Sequence, residues 1–223
     1  MNDWIVLSDF DGTISIQDSN DLLFKVYGNE NNALIEEQFK RGILGARRGM
    51  ALHFKYLSIS VAKYLRFIEN EIDIDNTFIE FSKWLKDREI PLYVVSGGFT
   101  EAIGLVLDAN DIEIRRIYAN QLVTIKNEIS PRFFTSEGES FCNDSRCGNC
   151  KLNIVMKYKK IGKKVVYIGD SHTDFCVSEH VDLLYAKNVL EKYCVKNVID
   201  HTPYESFRDI MMSLNEIWSN DEV

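Results

Sequence analysis

The chain has 223 residues and a formal net charge of −8, with 45% hydrophobic and 27% charged side chains. That balance suits an ordinary globular protein with one substantial core, or a core plus a small insert. Its acidity, without a sustained Lys/Arg run, argues against a nucleic-acid surface, and no apolar run approaches the roughly 20 residues of a membrane span. The start lacks the basic-then-apolar pattern of a secretory signal, and an odd count of five cysteines is no secreted disulfide framework. The expected setting is the cytoplasm, with no membrane and no nucleic acid as partner.

Trp4-Ile5-Val6-Leu7-Ser8 is a short apolar run, read as a fully buried strand in the middle of a parallel sheet. It delivers Asp9-Phe10-Asp11-Gly12-Thr13 to the C-terminal edge of the sheet, where open α/β folds bind their ligands. Two acids at i, i+2 repel, so one keeps its proton or a cation sits between them. Plain turn chemistry is the competing explanation for these five residues.

A polar stretch through Asp18 opens a helix at about residues 20–27, which Gly28 ends. No strand signal follows before residue 90. Phe39, Met50, Phe54 and Leu57 punctuate helical stretches around a Gly-rich joint at 42–49. Val61, Tyr64, Leu65 and Ile68 then recur at i, i+3, i+4, i+7, one helical face. Residues 16–73 therefore read as an inserted all-helical cap, leaving 1–15 and 74–223 as an α/β core.

Phe78, Phe81 and Leu85 mark the next helix, and residues 90–95 a second buried strand ending in Ser96-Gly97-Gly98. A helix over 100–108 and a third strand over 112–118 follow. Residues 122–125 and 128–134, around Lys126-Asn127, form a predicted hairpin. Residues 165–168 are a fourth core strand running into Gly169-Asp170-Ser171-His172-Thr173-Asp174, and 181–186 a fifth. Phe207, Ile210, Met211, Leu214 and Ile217 stripe a closing helix. Strands alternating with helices predict a doubly wound, Rossmann-like parallel sheet. The basic run at Lys157, Lys159, Lys160, Lys163 and Lys164 falls at a helix end, where cations complement the dipole.

Three strand ends, Asp9/Asp11, Ser96-Gly97 and Asp170/Asp174, then share one edge of the sheet, with Lys151 opening the helix before the fourth strand. Carboxylate donors without a His/Cys set suit Mg²⁺. In this order the motifs resemble the haloacid dehalogenase superfamily over nearly the whole chain: Asp9 to Thr13, Ser96, a lysine best matched by Lys151, and Gly169 to Asp174. Lys157, Lys159 and Lys160 lie close enough to compete for the lysine role. The resemblance implies a phosphatase with Asp9 as nucleophile, Asp11 as acid and base, and one Mg²⁺ held by Asp9, the Asp11 carbonyl and Asp170. It further implies that Ser96, Gly97 and Lys151 bind the phosphoryl oxygens, with Asp174 supporting Lys151 or a metal-bound water. The second acid separates phosphatases and phosphomutases of the superfamily from its dehalogenases.

The helical insert is similar to the cap of phosphoserine phosphatase-like members, the IB branch, and Asp18 falls where those enzymes often meet the substrate amine. A helix N-cap is the equal alternative for Asp18. Arg41, Arg47 and Arg48 could supply one contact to an anionic substrate tail, the others forming a solvated face. Residues 147–151, 169–174 and 201–204 resemble the methionine-salvage phosphatases acting on 2-hydroxy-3-keto-5-methylthiopentenyl-1-phosphate. Phosphoserine, phosphocholine or phosphoethanolamine phosphatases, a phosphomutase, and a non-catalytic binding module are the alternatives. A small phosphate ester is the expected partner, because a closing cap would exclude bulky ones. Cys142, Cys147 and Cys150 have the spacing of part of a zinc site, with Cys176, His172 or His180 as a fourth ligand. Packed thiols or a reversible disulfide are the other readings. His53 and His201 have no visible partner in the sequence.

Overall fold

The computed structural model describes residues 3–125, 128–141 and 147–220. Strand β1 (Trp4–Ser8) is buried throughout, as its continuous apolar run requires. It pairs in parallel with β2 (Leu92–Phe99) on one side and β5 (Lys164–Gly169) on the other. Beyond β2 lie β3 (Arg116–Ile125), parallel, and β4 (Glu128–Arg132), antiparallel. Beyond β5 come β6 (Leu183–Ala186) and the two-residue β7 (Thr202–Pro203). The order β4-β3-β2-β1-β5-β6-β7 makes a seven-stranded, mostly parallel sheet. The chain's direction of winding changes at β1, the position where such sheets open a crevice at their C-terminal edge.

Helices cover both faces. On one, α5 (Asn76–Asp87), α6 (Thr100–Ala109) and α9 (Phe207–Asn220) bury Phe78, Phe81, Val106, Phe207 and Trp218 against Val6, Val94 and Val166. On the other, α7 (Lys151–Lys160) and α8 (Asn188–Asn197) bury Leu152, Val155, Leu190 and Cys194 against Leu7, Val95 and Tyr167. Each fully buried aliphatic side chain favours the fold by roughly 1.5–3 kcal/mol over an exposed one, so the central strands are held from both sides.

Four helices run between β1 and α5: α1 (Ser19–Tyr27), α2 (Glu30–Lys40), α3 (Ala46–Lys55) and α4 (Val61–Glu71). Ser15 and Ile74 form an antiparallel bridge where the chain leaves and returns, and Ile16 N donates to Asp73 O at 2.9 Å. The helical stripe on α4 buries Tyr64, Phe67 and Ile68, with Tyr64 edge-on to Phe99 of β2. Leu23 and Phe54 join the same apolar cluster, so α1, α3 and α4 are packed onto the sheet layer, with α2 lying against α3.

Several strand boundaries differ from the sequence reading. The second strand runs Leu92–Phe99 rather than 90–95, so Ser96-Gly97-Gly98 lie inside it, where its register with β3 shifts between Val95 and Phe99. The expected strand over 112–118 and the first hairpin arm over 122–125 are one strand, β3, and the residues before Arg116 are not in it. Polar Asn120-Gln121 reads as a break in sequence. In the fold Asn120 is buried and hydrogen-bonded at both ends of its amide, donating to Gly97 O and accepting from Phe134 N. The hairpin pairs Ile125 with Glu128, and its tip, Lys126-Asn127, lies outside the described residues. The fifth strand begins at Leu183 rather than Val181, because Asp182 is engaged elsewhere: its carboxylate accepts from Val165 N at 2.7 Å.

Candidate active site

The turn after β1 is built from its own backbone. Phe10 O accepts from the amides of Thr13, Ile14 and Ser15, curling the chain back within one turn. Gly12 sits at φ +71°, a left-handed conformation that favours glycine, and a Cβ there would lie 2.6 Å from Asp170 Oδ2. This tightness lets the ends of β1 and β5 meet. Thr13 Oγ1 donates to Asp170 Oδ1 at 2.9 Å, locking one turn to the other.

Asp9 is almost fully buried, its Oδ1 accepting from Phe10 N at 2.7 Å. Its Oδ2 lies 2.6 Å from Lys151 Nζ, and the same ammonium lies 2.6 Å from Asp174 Oδ1. Asp174 is saturated: Lys151 and Tyr167 donate to Oδ1, and the amides of Asp170 and Ser171 donate to Oδ2. Lys151 therefore enters the site on a fixed pedestal. The rival lysines point elsewhere, Lys159 pairing with Asp182 and Lys157 lying over Tyr118 and Tyr158.

Burial opposes the Lys151 charge, yet the Asp174 and Asp9 carboxylates outweigh it and hold the ammonium protonated beyond its ordinary range. Asp9 is pushed well up by burial, with Lys151 opposing and Asp174 and Asp170 adding to the rise. Asp170 is raised by burial and then by Asp174. Asp11, whose Oδ1 accepts from Ser19 N at 2.8 Å, is raised chiefly by burial. So many carboxylates raised together mark a site short of positive charge.

The donor set fits a hard divalent cation. Oxygens of Asp9, Asp170 and Asp174 lie within 4.8 Å of one another, the one such grouping of acid, His or Cys ligand atoms among the described residues. Since every Asp174 oxygen is already committed, Asp9 and Asp170 are the side chains left to face a cation.

Opposite them, the Ser96-Gly97 segment of β2 is held by two buried amides that the sequence did not single out. Asn120 Nδ2 donates to Gly97 O at 2.7 Å, and Asn149 Nδ2 donates to Ser96 O and Tyr118 O. Tyr167 is a further unforeseen part. The only sequence signal was the placing of Asn149 two residues before Lys151. Ser96 Oγ accepts from Gly98 N at 2.9 Å, which leaves its hydroxyl hydrogen available to another acceptor. A Cβ at Gly98 would sit 2.9 Å from Asp11 Oδ2, so glycine is what permits β2 and the turn after β1 to approach.

A cavity of ≈ 370 Å³ opens on Asp9, Asp11, Ser96, Gly97 and Asp170. Asp18 lines it too, and is also the N-cap of α1, its Oδ1 accepting from Asn20 N and Asp21 N. Burial and then the Asp11 charge raise Asp18 to about 7, although its surface still meets water at the cavity mouth. A second cavity of ≈ 530 Å³ adjoins the first across Phe39, Met50 and His172, and is walled by Phe133, Phe175 and Tyr193.

The arginines of the insert do not line the first cavity. Arg41 pairs with Glu37 on the surface, and Arg48 is exposed. Arg47 donates to the carbonyls of Thr135 and Cys147 and stacks on Phe133, tying α3 to the loop that leads to Lys151. Of the expected zinc ligands, Cys142 lies outside the described residues. Cys150 is buried at the start of α7, Cys147 faces the larger cavity, and neither belongs to a metal-ligand grouping among the described residues. His53, without a partner in the sequence reading, lies in a network with Asn32 and Glu36.

A model of the haloacid dehalogenase-like hydrolase family matches residues 6–179. The chain is 26% identical over 213 residues to a 2-hydroxy-3-keto-5-methylthiopentenyl-1-phosphate phosphatase of Bacillus cereus (strain B4264), covering 94% of each. It is 27% identical over 221 residues to Pdp3-interacting factor 1 of Schizosaccharomyces pombe, covering 96% of this chain and 95% of that one. Among solved structures, a phospho-aspartyl intermediate analogue of phosphoserine phosphatase superposes with a TM-score of 0.72 at 21% identity, over 94% of this chain and 98% of that one. That last likeness concerns the fold. With its motif carboxylates, lysine and serine gathered at one sheet edge and a family match spanning most of its length, the chain belongs to the haloacid dehalogenase-like hydrolases and is a phosphatase among them.

Proposed function

We propose that the protein is a Mg²⁺-dependent phosphomonoester hydrolase acting on a small phosphorylated metabolite through an aspartyl-phosphate, with 2-hydroxy-3-keto-5-methylthiopentenyl-1-phosphate as the favoured substrate. The observation carrying this is the Lys151 ammonium clamped between Asp9 and Asp174, beside a second buried acid, Asp11.

In this reading Asp9 attacks phosphorus, a P–O bond forms, and the bond to the leaving oxygen breaks. Asp11, whose pKa burial raises, gives its proton to that leaving oxygen. It then accepts a proton from the water that attacks the aspartyl-phosphate, releasing inorganic phosphate and restoring Asp9. Ser96 Oγ–H, the Gly97 amide and Lys151 donate to the equatorial phosphoryl oxygens, whose charge grows in the transition state. Asp174 keeps Lys151 aimed. A Mg²⁺ ion held by Asp9, Asp170 and the Asp11 carbonyl would offset the charge between acidic crevice and phosphate. Residues 16–73 act as the cap that covers the crevice and selects the leaving group, with Asp18 at its inner edge.

The lining supports the methylthio substrate over phosphoserine. Among the described residues the ≈ 370 Å³ cavity has no Lys or Arg to meet a substrate carboxylate. The aromatic second cavity offers room for an apolar chain. The test is phosphate release from p-nitrophenyl phosphate, phosphoserine, phosphocholine and the methionine-salvage ester, with Mg²⁺ and with EDTA. Mg²⁺-dependent release led by the methionine-salvage ester, and lost in Asp9→Asn, is expected. Turnover retained by Asp9→Asn would remove the nucleophile; absence of release from every ester would favour a mutase or a binding module.

A further inference from the structure

The first turn of α1 is laid against two acids of the cavity. Ser19 N donates to Asp11 Oδ1 at 2.8 Å, and Asn20 N donates to Asp18 Oδ1 at 3.0 Å. These bonds fix the backbone from which the Asn20 side chain leaves. Asn20 is buried and lines the ≈ 370 Å³ cavity. Its Oδ1 is sealed off and has no hydrogen-bond partner among the described residues. Its Nδ2 has no acceptor there either, and is the polar end that the residue presents to the cavity.

A Cβ at Gly98 would lie 2.9 Å from Asp11 Oδ2, 3.2 Å from Ser96 Oγ and 3.8 Å from Asn20 Nδ2. The space that this glycine leaves open is thus bordered by all three polar atoms. The Asp11 carboxylate also sets which way the amide faces. It attracts the NH₂ end, whereas a flipped amide would turn its oxygen toward the acid. An orphaned buried acceptor costs stability and calls for a compensating role. We propose that Asn20 is a specificity-determining residue of this phosphatase, its Nδ2–H donating to an uncharged oxygen, keto or hydroxyl, on the carbon next to the one that carries the phosphate.

The placing follows from the neighbours. Asp11 meets the leaving oxygen and Ser96 a phosphoryl oxygen, so an amide bordering the same space lies over the first atoms of the leaving group. An N–H donor needs a lone pair, which an ammonium lacks. A carboxylate has lone pairs but brings a charge that no Lys or Arg of the described lining balances. An unsubstituted chain strips water from Nδ2 and replaces it with nothing, which is what makes a polar contact selective. The 2-hydroxy group of the favoured ester stands at the carbon in question.

The inference rests on the phosphatase reading above, and the test separates the two. Steady-state kcat/KM is measured for hydroxyacetone phosphate and n-propyl phosphate, which differ in the keto oxygen, with p-nitrophenyl phosphate as the reference ester. The readout is the keto-to-propyl ratio in the wild type, in Asn20→Leu and in Asn20→Ala. The keto group also makes a better leaving group, but the variants retain that part of the ratio. Loss of the donor should lower the ratio about tenfold in both variants. A ratio within about threefold of the wild-type value in a folded variant overturns the assignment. Asn20→Ala introduces no clash, so its failure to fold would show that the amide has a protein partner, which overturns the assignment too. Hydrolysis of none of the esters by the wild type overturns the phosphatase reading alone. Calorimetric affinities of the same two phosphates for the wild type and both variants then read the same ratio.

Discussion

Lys151 Nζ lies 2.6 Å from Asp174 Oδ1, and Asp174 takes three further donors from Tyr167 and the amides of Asp170 and Ser171. The lysine is therefore positioned by a carboxylate that has no capacity left for a metal. Its other contact, Asp9 Oδ2, is the group that the chemistry uses. Replacing Lys151 with Met leaves two buried carboxylates facing each other without a counter-charge. Breaking a buried pair from one side costs about 3–5 kcal/mol. Urea denaturation at pH 7 with EDTA should show a loss of that order; a loss below about 1 kcal/mol would mean that the clamp does not hold the site together.

Gly12→Ala tests the approach of the two strand ends. The substitution meets a φ of +71° and places a Cβ 2.6 Å from Asp170 Oδ2. Backbone strain alone is of order 1–3 kcal/mol, and relieving the clash moves Asp170. We expect a lower melting temperature together with a rise in the Mg²⁺ concentration needed for half-maximal turnover. Unchanged Mg²⁺ dependence in a folded variant would show that Asp170 is not where the cation is held.

Asp18 gives a pH signature. Burial and the Asp11 charge raise it to about 7 in the folded protein, against about 3.9 in an unfolded chain. The folded state thus holds the proton more tightly, so its relative stability is full below about pH 4 and is lost as pH rises through 7. Asn caps a helix as well as Asp does. Asp18→Asn should therefore melt higher than the wild type at pH 8, with the gap closing toward pH 4. Melting curves that stay parallel from pH 4 to pH 8 would place Asp18 fully in solvent.

Arg47 connects the insert to the loop that carries Lys151, through the carbonyls of Thr135 and Cys147 and the ring of Phe133. Arg47→Ala should cost about 1–3 kcal/mol, because it removes both charge-assisted hydrogen bonds and the cation–π stacking on Phe133. Arg47→Lys should rescue little, because an ammonium lacks the planar fork that spans two carbonyls. Equal stability of the Lys and Arg forms in thermal melts would argue against that geometry.

The motif residues at the strand ends were legible because they follow buried apolar runs, and a run of that kind fixes where its successor emerges. Strand β3 was less legible. Its middle carries Asn120 and Gln121, and nothing local says that Asn120 will be buried with Gly97 O and Phe134 N as partners. His53 was silent for the same reason, its partner being an amide 21 residues away that is itself oriented by a helix cap.

By itself the sequence determined the alternation of strands and helices, the inserted helical stretch, and the gathering of Asp9, Asp11, Ser96 and Asp170 at one edge, all of which follow from local periodicity and strand direction. Only the tertiary structure decided that Lys151 rather than Lys157, Lys159 or Lys160 meets Asp9, that Asp174 serves the lysine, and that Arg47 braces a loop. Those outcomes depend on distances of a few ångströms between groups remote in the chain, and no pattern along the chain encodes such distances until the core has packed.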